Sequence, residues 1–110
     1  MKPRLYNVEC IIYNKKGEIL LQKKTLDAPF YPGGWLLFGG GIDKIRERPI
    51  EAIKRELKEE LGLELTPKFY QAEQDEDRMV FTFTLQFNNM ERIKLMEGGG
   101  FAFFDKSELE

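Results

Sequence analysis

The sequence predicts a single α/β domain, and three observations support that expectation. Apolar, strand-like segments lie on both sides of one amphipathic helical segment. That segment, Pro49–Leu61, has its own start and stop signals. The 110 residues allow one modest core but not two. With 42 % hydrophobic and 33 % charged residues, the composition is that of a globular chain.

The first strand is Leu5–Tyr13, rich in Leu, Tyr, Val and Ile, and its unbroken apolar run from Cys10 to Tyr13 predicts burial on both faces. Turn residues at 14–17 lead into a return strand over 18–22, which makes a hairpin. Residues 23–41 change character. Pro29, Pro32 and glycines at 33, 34, 39, 40 and 41 surround Phe30, Tyr31, Trp35 and Phe38, the composition of a shaped loop with a short strand over 35–38. It is not a phosphate-binding P-loop, because Gly41 is followed by Ile42 and Asp43 rather than by Lys and a hydroxyl residue. In the helical segment Pro49 suits the first turn and Gly62 the C-terminal cap. At about 100° per residue Ile50, Ile53, Leu57 and Leu61 share a face that packs on the sheet. Strands follow over 63–71 and 79–87, the second alternating through Phe81, Phe83, Leu85 and Phe87, with the acidic stretch 73–77 as their connection. Residues 101–104 form a last strand, and Ser107 with Glu108 resembles a helix start.

The balance of 17 basic and 19 acidic residues leaves a net charge of -2, so no bulk positive field exists to hold a nucleic acid backbone. The chain has no histidine, which excludes an imidazole base or metal ligand. Its one cysteine, Cys10, excludes an intramolecular disulfide and a cysteine-rich zinc site. No stretch reaches transmembrane length and the N-terminus lacks the apolar core of a signal peptide, so a cytoplasmic protein with no membrane partner is expected. What remains is mostly carboxylate chemistry.

That chemistry is concentrated in the helix. Glu56, Glu59 and Glu60 fall on one narrow face beside Ala52, and spacings of three and four bring like charges together, which is unfavourable in an isolated helix. A hard divalent cation such as Mg2+ or Mn2+ offsets that repulsion and prefers oxygen ligands. Three solvated glutamates on a surface helix are the competing account. The glycine loop before the helix supplies a cleft in which a ligand lies against backbone at Gly40 and Gly41. The helical wheel turns Arg55 away from the centre of the glutamate face, which suits a paired hydrogen bond to Glu47 or another acidic group. Glu97, beside Gly98, is a further candidate for the cation shell.

Gly41, five residues, Glu47, seven residues, then Arg55, Glu56, Leu57, Lys58, Glu59, Glu60, Leu61, Gly62 and Leu63 resembles the signature of the Nudix hydrolases. That signature reads Gly, five residues, Glu, seven residues, then Arg-Glu-U-X-Glu-Glu-X-Gly-U with U aliphatic, and every fixed position is filled. The resemblance implies an α/β/α sandwich around a mixed sheet, with a C-terminal helix that is short or missing in this chain. It implies hydrolysis of a diphosphate linkage in a nucleoside diphosphate joined to another group, with Mg2+ or Mn2+. By the same likeness Glu56, Glu59 and Glu60 are the core metal ligands, Glu47 orients the loop through Arg55, and Glu97 is an additional acidic ligand or acts on the attacking water. Two departures stand out. Phe38 or Gly39 occupies the place of a family proline, leaving either Gly40 or Gly41 as the matching glycine, and Arg46 replaces a glycine before Glu47.

Bound divalent ions would neutralise a diphosphate and lower the pKa of a bound water. Without histidine the general base is a carboxylate or metal-bound hydroxide, and Glu59 and Glu97 are both candidates. Phe30, Tyr31, Trp35, Phe81 and Phe101 are candidates for stacking on a base; Tyr31 and Trp35 are favoured by their loop, while Phe81 has core packing as its stronger alternative. Lys23, Lys24 and Arg4 are candidates for phosphate oxygens, and each has a solvated surface role as its alternative. A nucleotide-type small molecule is thus the expected partner. A homodimer is consistent with family likeness and with the apolar, aromatic ends of the chain. The rival reading is a Nudix-like domain that binds nucleotide without turnover, and a nucleic-acid binder comes third.

Overall fold

The structure is a computed structural model that describes residues 2–29, 32–43, 47–89, 92–93 and 99–109, the side chains at 106 and 109 excepted. Alternation along β1 (Leu5–Tyr13) sends Val8, Cys10 and Ile12 into the core and leaves Asn7, Glu9 and Ile11 half-buried on the other face. The burial on both faces that its apolar run predicts is therefore one-sided, and Tyr13 is 37 % exposed. Burial pushes the Cys10 thiol up to about 12, so this side chain serves as a small apolar core residue and not as a nucleophile.

β2 (Ile19–Lys23) pairs antiparallel with β1 through Ile12 and Leu20. β3 (Trp35–Leu36) lies outside β2, and β4 (Phe38–Gly41) runs antiparallel to the first half of β1. After α1 (Pro49–Leu61), β5 (Lys68–Asp75) and β6 (Arg78–Gln86) form a hairpin whose second strand pairs parallel with β1 over its full length. β7 (Gly100–Phe104) pairs with β2, and the chain ends in a 3-10 turn, Lys106–Leu109. The result is the expected mixed sheet, in the order β3-β2-β1-β6-β5 with β4 on β1 and β7 on β2. None of the helices among the described residues is long and apolar enough to cross a membrane.

Two segments differ from their sequence expectation for physical reasons. Leu63 and Leu65 alternate as a strand would, but they pack singly against the core, and pairing begins only at Lys68, after Pro67 with its missing N–H. The acidic stretch expected as a connection is instead the second half of β5, and Glu76, at φ 55, completes a tight turn. β5 is an edge strand exposed along its whole length, so its charges meet water. The glycine loop is likewise more regular than its composition suggests. Gly39 adopts φ 155, and a Cβ there would lie 2.8 Å from Glu9 Cα and overlap the Val8 carbonyl oxygen. Glycine alone lets β4 come this close to β1.

α1 starts after Arg48, whose N–H donates to Glu51 Oε1 at 2.8 Å, has Pro49 in its first turn, and stops at Gly62 with φ 70 and an N–H to the Lys58 carbonyl at 2.9 Å. It packs against β4 and β1 through Ala52, Ile53, Leu57 and Leu61, all buried. One charged residue shares that buried face, Glu60, and its position directs attention to the junction of α1 with β4 and β2.

Candidate active site

Arg55 holds the loop before α1 against the helix. Its Nε donates to Glu47 Oε2 at 2.5 Å and its Nη2 to Glu47 Oε1 at 3.0 Å and to the Gly41 carbonyl at 3.0 Å. Its Nη1 donates to Glu56 Oε1 at 3.0 Å and to Glu59 Oε1 at 3.3 Å. The planar guanidinium fork makes such multiple bonding possible from a single side chain. The pairing with Glu47 is the one the sequence suggests. The helical wheel, however, misjudges the direction, since the long side chain reaches back across Glu56 and Glu59 instead of turning away. Arg55 and the Asp43 N–H hold the Glu47 carboxyl below the usual carboxylate range, while its neighbouring carboxylates raise the pKa of Arg55.

The three glutamates, which spacing places on one face, occupy three environments. Glu59 is the most open, with its side chain 46 % exposed, and Glu56 is 14 % exposed beside Gly40, where a Cβ would lie 2.6 Å from the Glu56 carboxyl carbon. Glu60 is only 3 % exposed. Its Oε1 accepts from the Gly39 N–H at 3.1 Å and its Oε2 from Gln22 Nε2 at 2.8 Å. Burial, aided by the charge of Glu56, pushes the Glu60 carboxyl up to about 7 against the pull of those two donors and of Lys24. Among the described residues no three acidic groups converge as a metal cluster, because Glu59 leans to Arg55 and Glu60 to Gln22. The donor set nevertheless suits a hard divalent cation in its chemistry. Glu56 and Glu60 are carboxylates whose mutual repulsion raises the proton affinity of the buried one, and a cation relieves that cost.

Beside these carboxylates opens a cleft of about 490 Å³ on the face of β1 opposite the core. Asn7 and Glu9 of β1 and Val80 of β6 line it from one side, Gly39, Gly40 and Trp35 from the other, and Gln22 and Lys24 at the junction with Glu60. Gly39 and Gly40 touch both regions, so only backbone separates the cleft from Glu56 and Glu60. Trp35 is 41 % exposed, braced edge-on by Phe104 at 5.0 Å, and Lys23 Nζ lies 5.8 Å from its ring centre.

Of the residues singled out from the sequence, the structure brings together Glu47, Arg55, Glu56, Glu59 and Glu60 around Gly40 and Gly41, with Trp35 and Lys24 across the cleft. Phe81 does not line this cleft. Strand alternation turns it to the other face, where it packs against the core cluster and lines, with Tyr6, Ile42, Glu47 and Pro49, a second cavity of about 300 Å³, while its neighbour Thr82 faces the cleft side with Glu9. Arg4 pairs with Asp77 at 3.1 Å. Phe30, Tyr31 and Glu97 lie outside the described residues. Two residues at the site carry no motif in the sequence: Gln22, which anchors Glu60, and Glu9, whose only signal is a lone acidic charge inside an otherwise uncharged strand.

The profile of the NUDIX domain matches residues 3–108, and the chain belongs to the Nudix family. It is 40 % identical over 62 residues to the nucleoside triphosphatase NudI of Klebsiella pneumoniae, a match covering 56 % of this chain and 43 % of that relative. The chain thus spans under half the length of that relative. In fold it is similar to the MutT protein of Methanosarcina mazei, with a TM-score of 0.72 and 23 % identity over 98 % of this chain and 81 % of that one. The Deinococcus radiodurans protein DR0079 gives a TM-score of 0.83 at 17 % identity, covering 99 % of this chain and 72 % of that one.

Proposed function

We propose that this domain is a metal-dependent hydrolase of a diphosphate linkage in a nucleoside diphosphate joined to another group, with nucleoside triphosphates as the leading substrate class. One observation supports this reading above the rest: Glu56 and Glu60 pack directly against Gly39 and Gly40, which also line the cleft, so only the thickness of one glycine strand lies between the carboxylates and a ligand on its other side. The nucleoside triphosphatase NudI, similar over part of its length, favours the triphosphate within this class.

In this reading Glu56, Glu59 and Glu60 hold Mg2+ or Mn2+, with Glu97 as a further ligand. The ion supplies charge neutralisation and a more acidic water. Arg55 fixes Glu56 against Glu47 and Gly41, so that carboxylate is oriented before substrate arrives, and it touches the open Glu59 at the longer distance of 3.3 Å. Gln22 and the Gly39 N–H hold Glu60 from behind, which keeps its carboxylate directed at the β4 junction. Lys24 and Trp35 line the cleft, and in this reading the ammonium of Lys24 meets a phosphate oxygen and the ring of Trp35 stacks on the base. Proton acceptance from water belongs to Glu59 or Glu97; Glu59 is the more accessible of the described carboxylates on this helix face.

The test is release of phosphate or pyrophosphate from nucleoside triphosphates, nucleotide sugars and dinucleotides with Mg2+, Mn2+ or chelator. Turnover that needs metal and disappears in E60Q supports the reading. Turnover retained in E60Q, or nucleotide binding with no turnover across the panel, rejects it in favour of a binding domain.

A further inference from the structure

The floor of the cleft contains a carboxylate that the hydrolytic machinery does not use. Glu9 sits in the middle of β1, half-buried, on the face away from α1. Its Oε1 accepts the Thr82 hydroxyl at 3.0 Å. Among the described residues it makes no other side-chain hydrogen bond and no ion pair, although Lys24 and Arg78 line the same cleft. A carboxylate is an acceptor only, and one placed here repels phosphate and attracts N–H donors. Asn7, two residues earlier on the same face, likewise has a side-chain amide without a partner among the described residues. The strand repeat spaces the two by about 7 Å.

The ladder fixes where these groups stand relative to the carboxylate helix. Glu9 is the cross-strand partner of Gly39, and Gly39 donates its N–H to Glu60. Cross-strand Cα atoms are about 5 Å apart. In the hydrolase reading a nucleotide passes along the glycine strand, with its phosphates toward Glu56 and Glu60 and its base in the cleft over Glu9 and Asn7. Base edges differ in what they offer there. Guanine presents two adjacent N–H donors, N1–H and the N2 amine, beside the O6 acceptor. Adenine and cytosine place a ring acceptor next to their single amino group, and uracil and thymine flank one N–H with two carbonyls. Only the guanine edge gives both carboxylate oxygens a donor, and its O6 leaves an acceptor for the Asn7 amide.

We propose that Glu9, with Asn7 beside it, is the specificity-determining residue of the cleft and selects nucleotides whose base has the guanine-type edge. The inference rests on the hydrolase reading for the orientation of the phosphates. Thr82 positions the Glu9 carboxylate, and Trp35 covers the base from the opposite wall.

The experiment compares kcat/KM for GTP, ITP, ATP and CTP with Mg2+, in the unaltered protein and in E9Q, together with calorimetric binding of GDP, IDP and ADP. ITP keeps O6 and N1–H but lacks the N2 amine. The expected preference for GTP is about tenfold over ITP and about 10- to 100-fold over ATP. E9Q is expected to bring the GTP to ITP ratio close to one and to move the GTP to ATP ratio toward ATP, because a carboxamide offers one donor and one acceptor. A residue that merely supports the strand would change all four substrates together. Hydrolysis with a GTP to ITP ratio near one in the unaltered protein overturns the inference and leaves the hydrolase reading standing. Guanine-selective binding, lost in E9Q, without hydrolysis supports the inference and overturns the hydrolase reading. If no nucleotide binds, both fall.

Discussion

Replacing Glu60 by Gln removes a negative charge that the fold holds almost out of water. The folded carboxyl titrates at about 7 against an ordinary value of 4.5, so between these values the native protein holds a proton that the unfolded chain has lost. The stability tied to that proton is full below 4.5 and is lost as pH rises through 7. From pH 5 to pH 8 the loss comes to about 2–3 kcal/mol. E60Q has no such titration. It keeps an acceptor for the Gly39 N–H, but the new amide faces Gln22 Nε2, and relief by flipping Gln22 gives up that donor's 3.3 Å bond to the Leu37 carbonyl, at a cost of about 1 kcal/mol. The variant is therefore expected to be slightly less stable than the unaltered protein at pH 5 and about 1–2 kcal/mol more stable at pH 8. Urea denaturation in chelator across pH 5–8 measures this crossing. Glu47 and Glu51 are held below their ordinary range, so the difference across pH 5–8 reports on Glu60 together with its neighbour Glu56. A difference between the two proteins that stays constant across pH 5–8 refutes the argument. Added Mg2+ should stabilise the unaltered protein above pH 7 far more than E60Q, and E60Q should be inactive despite its greater stability.

Other substitutions separate structure from chemistry. Gly39→Ala puts a Cβ into the Val8 carbonyl at φ 155 and is expected to cost about 2–4 kcal/mol in chemical denaturation; a change below about 0.5 kcal/mol contradicts the close β1–β4 approach. Gly40→Ala meets only the movable end of Glu56, so stability should change by less than about 1 kcal/mol while turnover falls about tenfold or more, and the reverse pattern refutes this placement. Arg55→Ala removes the clamp on Glu47, Glu56 and Glu59; with the arginine 37 % exposed, the expected cost is about 1–3 kcal/mol by urea denaturation. Arg55→Lys should recover less than half of that loss, since an ammonium cannot bridge two carboxylates and the Gly41 carbonyl at once.

Much of this arrangement is legible from local pattern. Helix α1 follows from the Pro49 and Gly62 signals and the apolar period, and the Glu47–Arg55 pair from charge and spacing, because each depends on contacts close in sequence. The individual fate of Glu56, Glu59 and Glu60 does not, because helical phase separates Glu60 from Glu59 by only one residue while β2 and β4 bury the former and leave the latter in water. A strand of three glycines is illegible for a related reason. Its composition reads as loop, and only the neighbouring β1 backbone reveals that Gly39 and Gly40 must pair closely. The cleft face of β1 is hidden similarly, since Glu9 meets Thr82 only once the parallel β1–β6 ladder is formed.

β4 joins the carboxylate helix to the cleft. Gly39 pairs with Glu9 on the sheet and donates to Glu60 on the helix, so the two sides of the site share one backbone residue. Gly40 lies against Glu56, and Gly41 gives its carbonyl to Arg55. Because β4 is held in the β1 ladder, it cannot shift toward the helix without breaking pairs at Val8 and Glu9. A shift of β4 that carries Gly39 away from Glu60 therefore also disturbs the floor of the cleft. Movement of Glu59 requires nothing of β4, since Glu59 answers only to Arg55 among the described residues. In the proposed hydrolytic site that separation leaves Glu60 as the anchored carboxylate and Glu59 as the one able to exchange Arg55 for a ligand.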